Sequence, residues 1–285
     1  VGMKILVVGG TGKVGSALVR ELLARGHEPR VFTRDPKKAE AVPRGAHAAI
    51  GDLNQIETVR RACRGMEAMF LLNGLSTTEA HEGLTGLNAA MLEGVSRIVY
   101  VSVQDLESAA HLPHFGSKIG IEEAVRRSGI PWTILRPNSF FQNQHMYRQA
   151  IVEHGIYPEP IGTAGISRID VRVIAEAAAI ALTSPGHDGR TYDLSGAEVW
   201  TGPGSAKLWS EVLGRPVAYA GDDLDAWEAQ AKRLLPAWLA FDLRRMYEHF
   251  QRDGLRATSE TVASVTRLLG HPPREFEPFV REIAS

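Results

Sequence analysis

The stretch Lys4-Ile5-Leu6-Val7-Val8-Gly9-Gly10-Thr11-Gly12-Lys13-Val14-Gly15 decides the fold. Four consecutive apolar residues, three of them β-branched, read as a strand buried on both faces. The glycines that follow satisfy G-x-G-x-x-G through Gly10, Gly12 and Gly15, and G-x-x-G-x-x-G through Gly9, Gly12 and Gly15. Such glycines serve a tight turn out of the strand, a backbone open to close approach, and close helix-to-strand contact. Val14, Leu18, Leu22 and Leu23 then recur on one helical face, so a helix opens at the turn. Strand, turn and helix in that order are the context the motif requires. Free amides and the positive end of the helix dipole stabilise a phosphate there. Gly9, Gly10, Thr11, Gly12, Lys13, Val14 and Gly15 are therefore read as the cradle of a dinucleotide.

Apolar runs at Arg30 to Thr33, Ala46 to Ile50, Ala68 to Leu72, Arg97 to Val101 and Trp132 to Leu135 alternate with helical patterns. That rhythm predicts an α/β protein built on a doubly wound parallel sheet, a Rossmann fold with right-handed crossovers. After Pro137 the rhythm changes. Gly and Pro become frequent from Tyr157 to Gly165, strand-like segments appear only near Ile166 to Asp170 and Thr191 to Leu194, and the last sixty or so residues read as helical. The expected division is a dinucleotide-binding domain over residues 1–137 and a smaller, mostly helical substrate lobe over 138–285. The stretch around 170–195 is expected to return to the first body. Trp227, Trp238, Phe241, Tyr247 and Phe250 are spaced as a stripe that packs on the core.

Where an NAD site commonly carries Asp or Glu, about 20 residues past the glycine turn, this chain has Thr33 and Arg34. A guanidinium can grip a 2′-phosphate through two donors, and Lys37 with Lys38 adds positive field, so NADP(H) is preferred over NAD(H). Asp35, just before Pro36, reads as a helix N-cap. Asp52 with Leu53, and Asn73 with Gly74, follow the third and fourth strands at the carboxyl edge where ligands collect. Asp52 can contact the adenine or cap the helix that follows, and both readings stand.

The chain has 285 residues with 44% hydrophobic content, enough for a sizeable core. Lys and Arg number 32 against 33 for Asp and Glu, so the net charge of −1 offers no general attraction to nucleic acid or an anionic membrane. A small-molecule partner is expected. The single cysteine, Cys63, excludes an internal disulfide and a cysteine-built zinc site, and no metal is expected. The apolar strand begins at once, without a basic region and cleavage site ahead of it, and no run of about 18 apolar residues occurs, so the expectation is a cytoplasmic protein. Both a monomer and a homodimer remain open.

The residues resemble the NmrA-like branch of the atypical short-chain dehydrogenase/reductases over nearly the whole chain. The resemblance is carried by Gly9 to Gly15, Thr33-Arg34, Gly51-Asp52-Leu53, Tyr100-Val101-Ser102, and the stretch from His114 through Lys118 to Glu122. Further carriers are Ile134-Leu135-Arg136-Pro137 with Phe141 and Asn143, Arg190 to Leu194, and Leu269 to Pro273. It implies a Rossmann domain binding NADP(H) and a smaller lobe closing a pocket over the nicotinamide. The branch contains reductases of quinones or enones and also redox-sensing regulators that bind cofactor without turnover, so both an NADPH-dependent reductase of a small apolar carbonyl or quinone and a non-catalytic sensor are carried forward. Members of the wider family use a Ser, a Tyr and a Lys. This chain has Ser102 and Lys118, with His114 where the Tyr would stand. An imidazole titrates near neutrality and can act as a general acid; His114 can equally be a cofactor-contacting residue. Lys118 serves in either case as a ribose-binding ammonium. The substrate wall is expected from Asn138, Phe140, Phe141, Asn143 and the segment around Ile166 to Ile169. A sugar-nucleotide epimerase shares the glycine turn but normally depends on the absent Tyr.

Overall fold

Alternate residues of the first strand, β1 (Lys4–Val8), point to opposite faces, and each face has its own core. Ile5 and Val7 pack with the helix that follows the glycines, α1 (Lys13–Ala24), whereas Leu6 and Val8 pack on the other side of the sheet. The computed structural model describes residues 2–285. After α1 come β2 (Glu28–Thr33), α2 (Pro36–Glu40), β3 (His47–Ile50), α3 (Ile56–Cys63), β4 (Ala68–Leu71), α4 (Glu79–Leu92), β5 (Arg97–Val101), α5 (Pro113–Arg127) and β6 (Trp132–Pro137). A 3-10 turn (Phe141–Met146) leads into α6 (Arg148–His154), β7 (Ile156–Tyr157), α7 (Val171–Thr183), β8 (Arg190–Leu194), α8 (Gly202–Leu213) and β9 (Ala218–Tyr219). The remaining helices are α9 (Leu224–Ala231), α10 (Ala237–Arg252), α11 (Ser259–Leu269) and α12 (Phe276–Ala284).

The main sheet has seven strands in the order β3-β2-β1-β4-β5-β6-β8, with parallel pairing throughout. This is the doubly wound fold that the alternation predicts. One face is covered by α1 and α7 with Val265 and Leu269 of α11, the other by α3, α4 and α5. Alanines at 175, 177, 178, 179 and 181 are buried in α7, and their small side chains let that helix lie close to α1 and the sheet. Strand order reverses between β1 and β4, so the loops after these two strands diverge and leave a crevice at the carboxyl edge.

Two further cores lie beyond Pro137, in the part of the chain expected to form the smaller lobe. Phe141, Tyr157, Trp209, Phe276 and Phe279 form one, and Ile161, Ile166, Tyr247, Phe250 and Leu255 the other. The expected strand over Ile166 to Asp170 is absent. Its amides and carbonyls go to several partners instead: Ile166 bonds with Trp200, Ser167 donates to Leu255, and Ile169 donates to Ser139. All five residues are buried. The segment is thus a buried crossing point whose backbone groups are satisfied by separate neighbours rather than by a ladder. The aromatic stripe also divides. Tyr247 and Phe250 are buried, whereas Trp238 and Phe241 are 38% and 51% exposed. No helix among the described residues is long and apolar enough to cross a membrane.

Candidate functional site

Backbone geometry shapes the turn after β1. Gly9 has a φ of +75°, and a Cβ there would lie 2.5 Å from the carbonyl oxygen of Leu72. The amide of Gly12 donates to Gly9 O at 2.9 Å and closes the turn. Gly12 is the N-cap of α1 and offers no side-chain cap, so the first-turn amides of the helix remain for an anion. Gly9, Thr11, Gly12, Lys13 and Val14 line a cavity of about 890 Å³. Gly10 and Gly15 do not line it. A Cβ at Gly10 would meet Val31 and Val7 O, and one at Gly15 would lie 2.2 Å from Gly9 O, so both glycines serve packing of helix on strand. Lys13 Nζ donates to Gln142 O at 2.9 Å and burial lowers its pKa, so this lysine ties the turn to the 3-10 segment of the smaller lobe.

Thr33, Arg34, Asp35 and Lys38 line the cavity at the end of β2, and Lys37 does not. Successive helix residues point about 100° apart, so the turn of α2 that aims Lys38 at the cavity aims Lys37 away. The carboxylate of Asp35 accepts from Lys37 N at 2.9 Å and caps α2. Asp52 and Leu53 also line the cavity, and Asp52 Oδ1 accepts from Asn54 N in a local turn while Gln55 stands at the cap of α3. Asn73 Nδ2 donates to Glu79 O, which leaves its buried Oδ1 without a partner in the cavity wall beside Gly74.

Ser102, His114 and Lys118 meet in this same cavity. Ser102 Oγ is buried with no hydrogen bond of good geometry, yet it lies close enough to the Glu122 carboxyl to help hold it low. Lys118 is buried and its ammonium is paired with Glu79 of α4. Asp242 of α10 accepts from His114 Nδ1 at 2.7 Å. Glu79 and Asp242 were not legible as site residues, because neither lies in a local motif with the group it touches.

The far end of the cavity is apolar. Leu235, Leu239, Leu243, Met246 and Phe250 supply one wall, and all but the first belong to α10. Their spacing of four, four, three and four residues is a helical stripe and was the available signal. Tyr147 and Tyr247 add hydroxyls bonded to each other at 2.7 Å, and burial pushes both phenols up. Asn138, Phe140 and Asn143 line the opposite side, whereas Phe141 does not. Phe141 packs at 4.9 Å from Phe276 and 5.6 Å from Phe279, ring centre to ring centre, inside the lobe core. Adjacent residues leaving an extended backbone face opposite ways, so only one of the two phenylalanines can reach the cavity. The segment from Ile166 to Ile169 is likewise core rather than wall. Asn138 is held on three sides, its Nδ2 donating to Gln104 Oε1 and Leu255 O and its Oδ1 accepting from Ser139 N.

A model of the NmrA-like family matches residues 2–280 of the chain. The chain belongs to the NmrA-like family. An NAD(P)H azoreductase of Xenophilus azovorans is 34% identical over 285 residues, covering 99% of this chain and 98% of that protein. A (4-alkanoyl-5-oxo-2,5-dihydrofuran-3-yl)methyl phosphate reductase of Streptomyces griseus is 31% identical, with 99% and 98% covered. Among solved structures, the NADPH complex of the quinone oxidoreductase QOR2 of Escherichia coli superposes with a TM-score of 0.88 at 26% identity, over 99% of this chain and all of that one.

Proposed function

We propose that this member of the NmrA-like family is an NADPH-dependent reductase of a small, apolar, conjugated carbonyl or quinone. One observation carries the reading: a single cavity runs from a glycine turn with free helix amides, past Ser102, His114 and Lys118, to an apolar chamber under α10. A dinucleotide fits the first part by its chemistry. The turn admits no Cβ at Gly9, the amides of α1 favour a pyrophosphate, and the unpartnered Oδ1 of Asn73 awaits a donor. NADPH, when bound, supplies a hydride to the acceptor. Arg34 and Lys38 grip the 2′-phosphate, and the carboxylate that would repel it, Asp35, is committed to capping α2. Ser102 orients the acceptor oxygen, His114 protonates it, and the leucines of α10 exclude water from the chamber. The names of the relatives describe reductions of azo, oxo-dihydrofuran and quinone compounds, all conjugated acceptors of this kind.

The pairing of Lys118 with Glu79 favours one other reading, a cofactor-binding sensor without turnover, because the ammonium is already committed. Following NADPH oxidation with a panel of quinones, enones and azo dyes separates the two. Turnover that drops about tenfold or more in Lys118→Ala supports the reductase. Tight NADPH binding with no acceptor reduced supports the sensor instead.

A further inference from the structure

We propose that Asp242, on the helix that roofs the apolar chamber, is a positioning residue that makes His114 the proton donor. The proposal rests on the reductase reading above. His114 and Asp242 lie 128 residues apart in sequence, yet Nδ1 and Oδ1 are 2.7 Å apart and the two side chains are only 10% and 4% exposed. A buried carboxylate is stable there only if it is bonded, and this is its one side-chain hydrogen bond among the described residues. Asp242 therefore holds one proton on Nδ1, and the second proton of the imidazolium, the form that donates, sits on Nε2. That fixes the imidazole so that Nε2, which has no partner among the described residues, is the nitrogen left for the cavity that His114 lines.

The other protic groups of the cavity are less able to serve. The Lys118 ammonium is committed to Glu79, and the Tyr147 and Tyr247 hydroxyls bond each other with their phenols pushed up by burial. The Ser102 hydroxyl, which lies by the Glu122 carboxyl, is a far weaker acid than an imidazolium. Asp242 lies three residues from Leu239 and four from Met246 on α10, on the same side of the helix as these two residues of the apolar wall. One placement of α10 thus sets both the wall of the chamber and the carboxylate beside His114.

In the step served, a quinone accepts a hydride with its electron pair from bound NADPH, which becomes NADP+. The oxygen that gains charge takes the proton from His114: the Nε2–H bond breaks and an O–H bond forms. The neutral imidazole keeps its Nδ1–H on Asp242 and recovers a proton from water, so that quinone, NADPH and one proton give hydroquinone and NADP+.

The test uses the full chain, with menadione as acceptor, and compares wild type with Asp242→Asn and Asp242→Glu. Asp242→Asn is expected to lower kcat about 10- to 100-fold while KM for menadione and the calorimetric Kd for NADPH stay within about threefold. Asp242→Glu recovers part of that loss. Independently of turnover, nitrogen-15 spectra of His114 in the ligand-free protein are expected to show a protonated Nδ1 in wild type and a redistributed proton in Asp242→Asn, whose amide group can itself donate. A rise in KM at unchanged kcat would mean that Asp242 merely docks the helix, and overturns the proposal, as does an unaltered spectrum. A wild type that turns over no better than Asp242→Asn also overturns it while leaving the reductase reading intact. A wild type that binds NADPH and reduces nothing sinks that reading, and the proposal with it.

Discussion

Replacing Gly15 by alanine sets two effects of opposite sign against each other. Gly15 lies in the first turn of α1, where alanine is favoured over glycine by about 0.5–1 kcal/mol. The new Cβ, however, would lie 2.2 Å from Gly9 O, 2.6 Å from Gly10 Cα and 2.7 Å from Gly9 C. All three are backbone atoms of the phosphate turn, so no side chain can swing aside and the helix must move away by roughly 1 Å, against an overpacking penalty of about 1–3 kcal/mol. The clash outweighs propensity, and a net loss of about 1–2 kcal/mol corresponds to a fall in Tm of roughly 2–8 °C for a chain of this size. The displaced amides no longer converge on one anion, and the Kd for NADPH rises about 10- to 100-fold, each factor of ten being about 1.4 kcal/mol. Gly120→Ala is the control. Gly120 lies exposed inside α5 and a Cβ there meets nothing within 4 Å, so the same exchange should stabilise by about 0.5–1 kcal/mol. Urea unfolding and calorimetry on both variants decide the matter. If Gly15→Ala matches Gly120→Ala in stability and binds NADPH within about twofold of wild type, the close-approach argument is wrong.

Cofactor preference follows from the end of β2. Arg34→Ala and Lys38→Ala should each raise the Kd for NADPH about tenfold or more and leave that for NADH nearly unchanged, whereas Lys37→Ala changes neither; equal losses for the two nucleotides would remove the 2′-phosphate role. Arg136 governs an acid response. Burial pushes the Glu122 carboxyl up, but the Arg136 guanidinium, bonded at 2.9 and 2.8 Å, together with Ser102 and Arg126 outweighs it and holds the carboxyl below the usual carboxylate range. A carboxyl depressed on folding contributes stability that is present above its unfolded pKa of about 4.3 and is lost as pH falls through the folded value. Arg136→Gln is expected to destabilise by about 3 kcal/mol near pH 7, because Glu122 is left buried with Arg126 as its one remaining cation and Ser102 as a neutral neighbour. The difference from wild type shrinks as pH is lowered towards about 3, since protonation now relieves the variant; urea midpoints across that range check it, and a difference that grows instead refutes the assignment.

The features legible in the residues without the fold are local. Ile5 to Val8, the glycine turn and the stripe from Val14 to Leu22 interact within a few residues, so strand, turn and helix could be read together, and the alternation that follows led directly to the parallel sheet. Arg34 and Asp35 were legible for the same reason, one by its distance from the turn and the other by the proline after it. Tertiary structure alone decided which helix face meets the cavity, and so separated Lys38 from Lys37 and Phe140 from Phe141. It also decided the pairs that bring distant chain segments together, Lys118 with Glu79 and His114 with Asp242. A side chain far along the chain leaves no periodic trace at the residue it will touch. Its partner is fixed by the packing of whole helices: Tyr247 and Phe250 in their own core, with Met246 against Leu106 and Phe115, set where α10 lies and what it carries to the site.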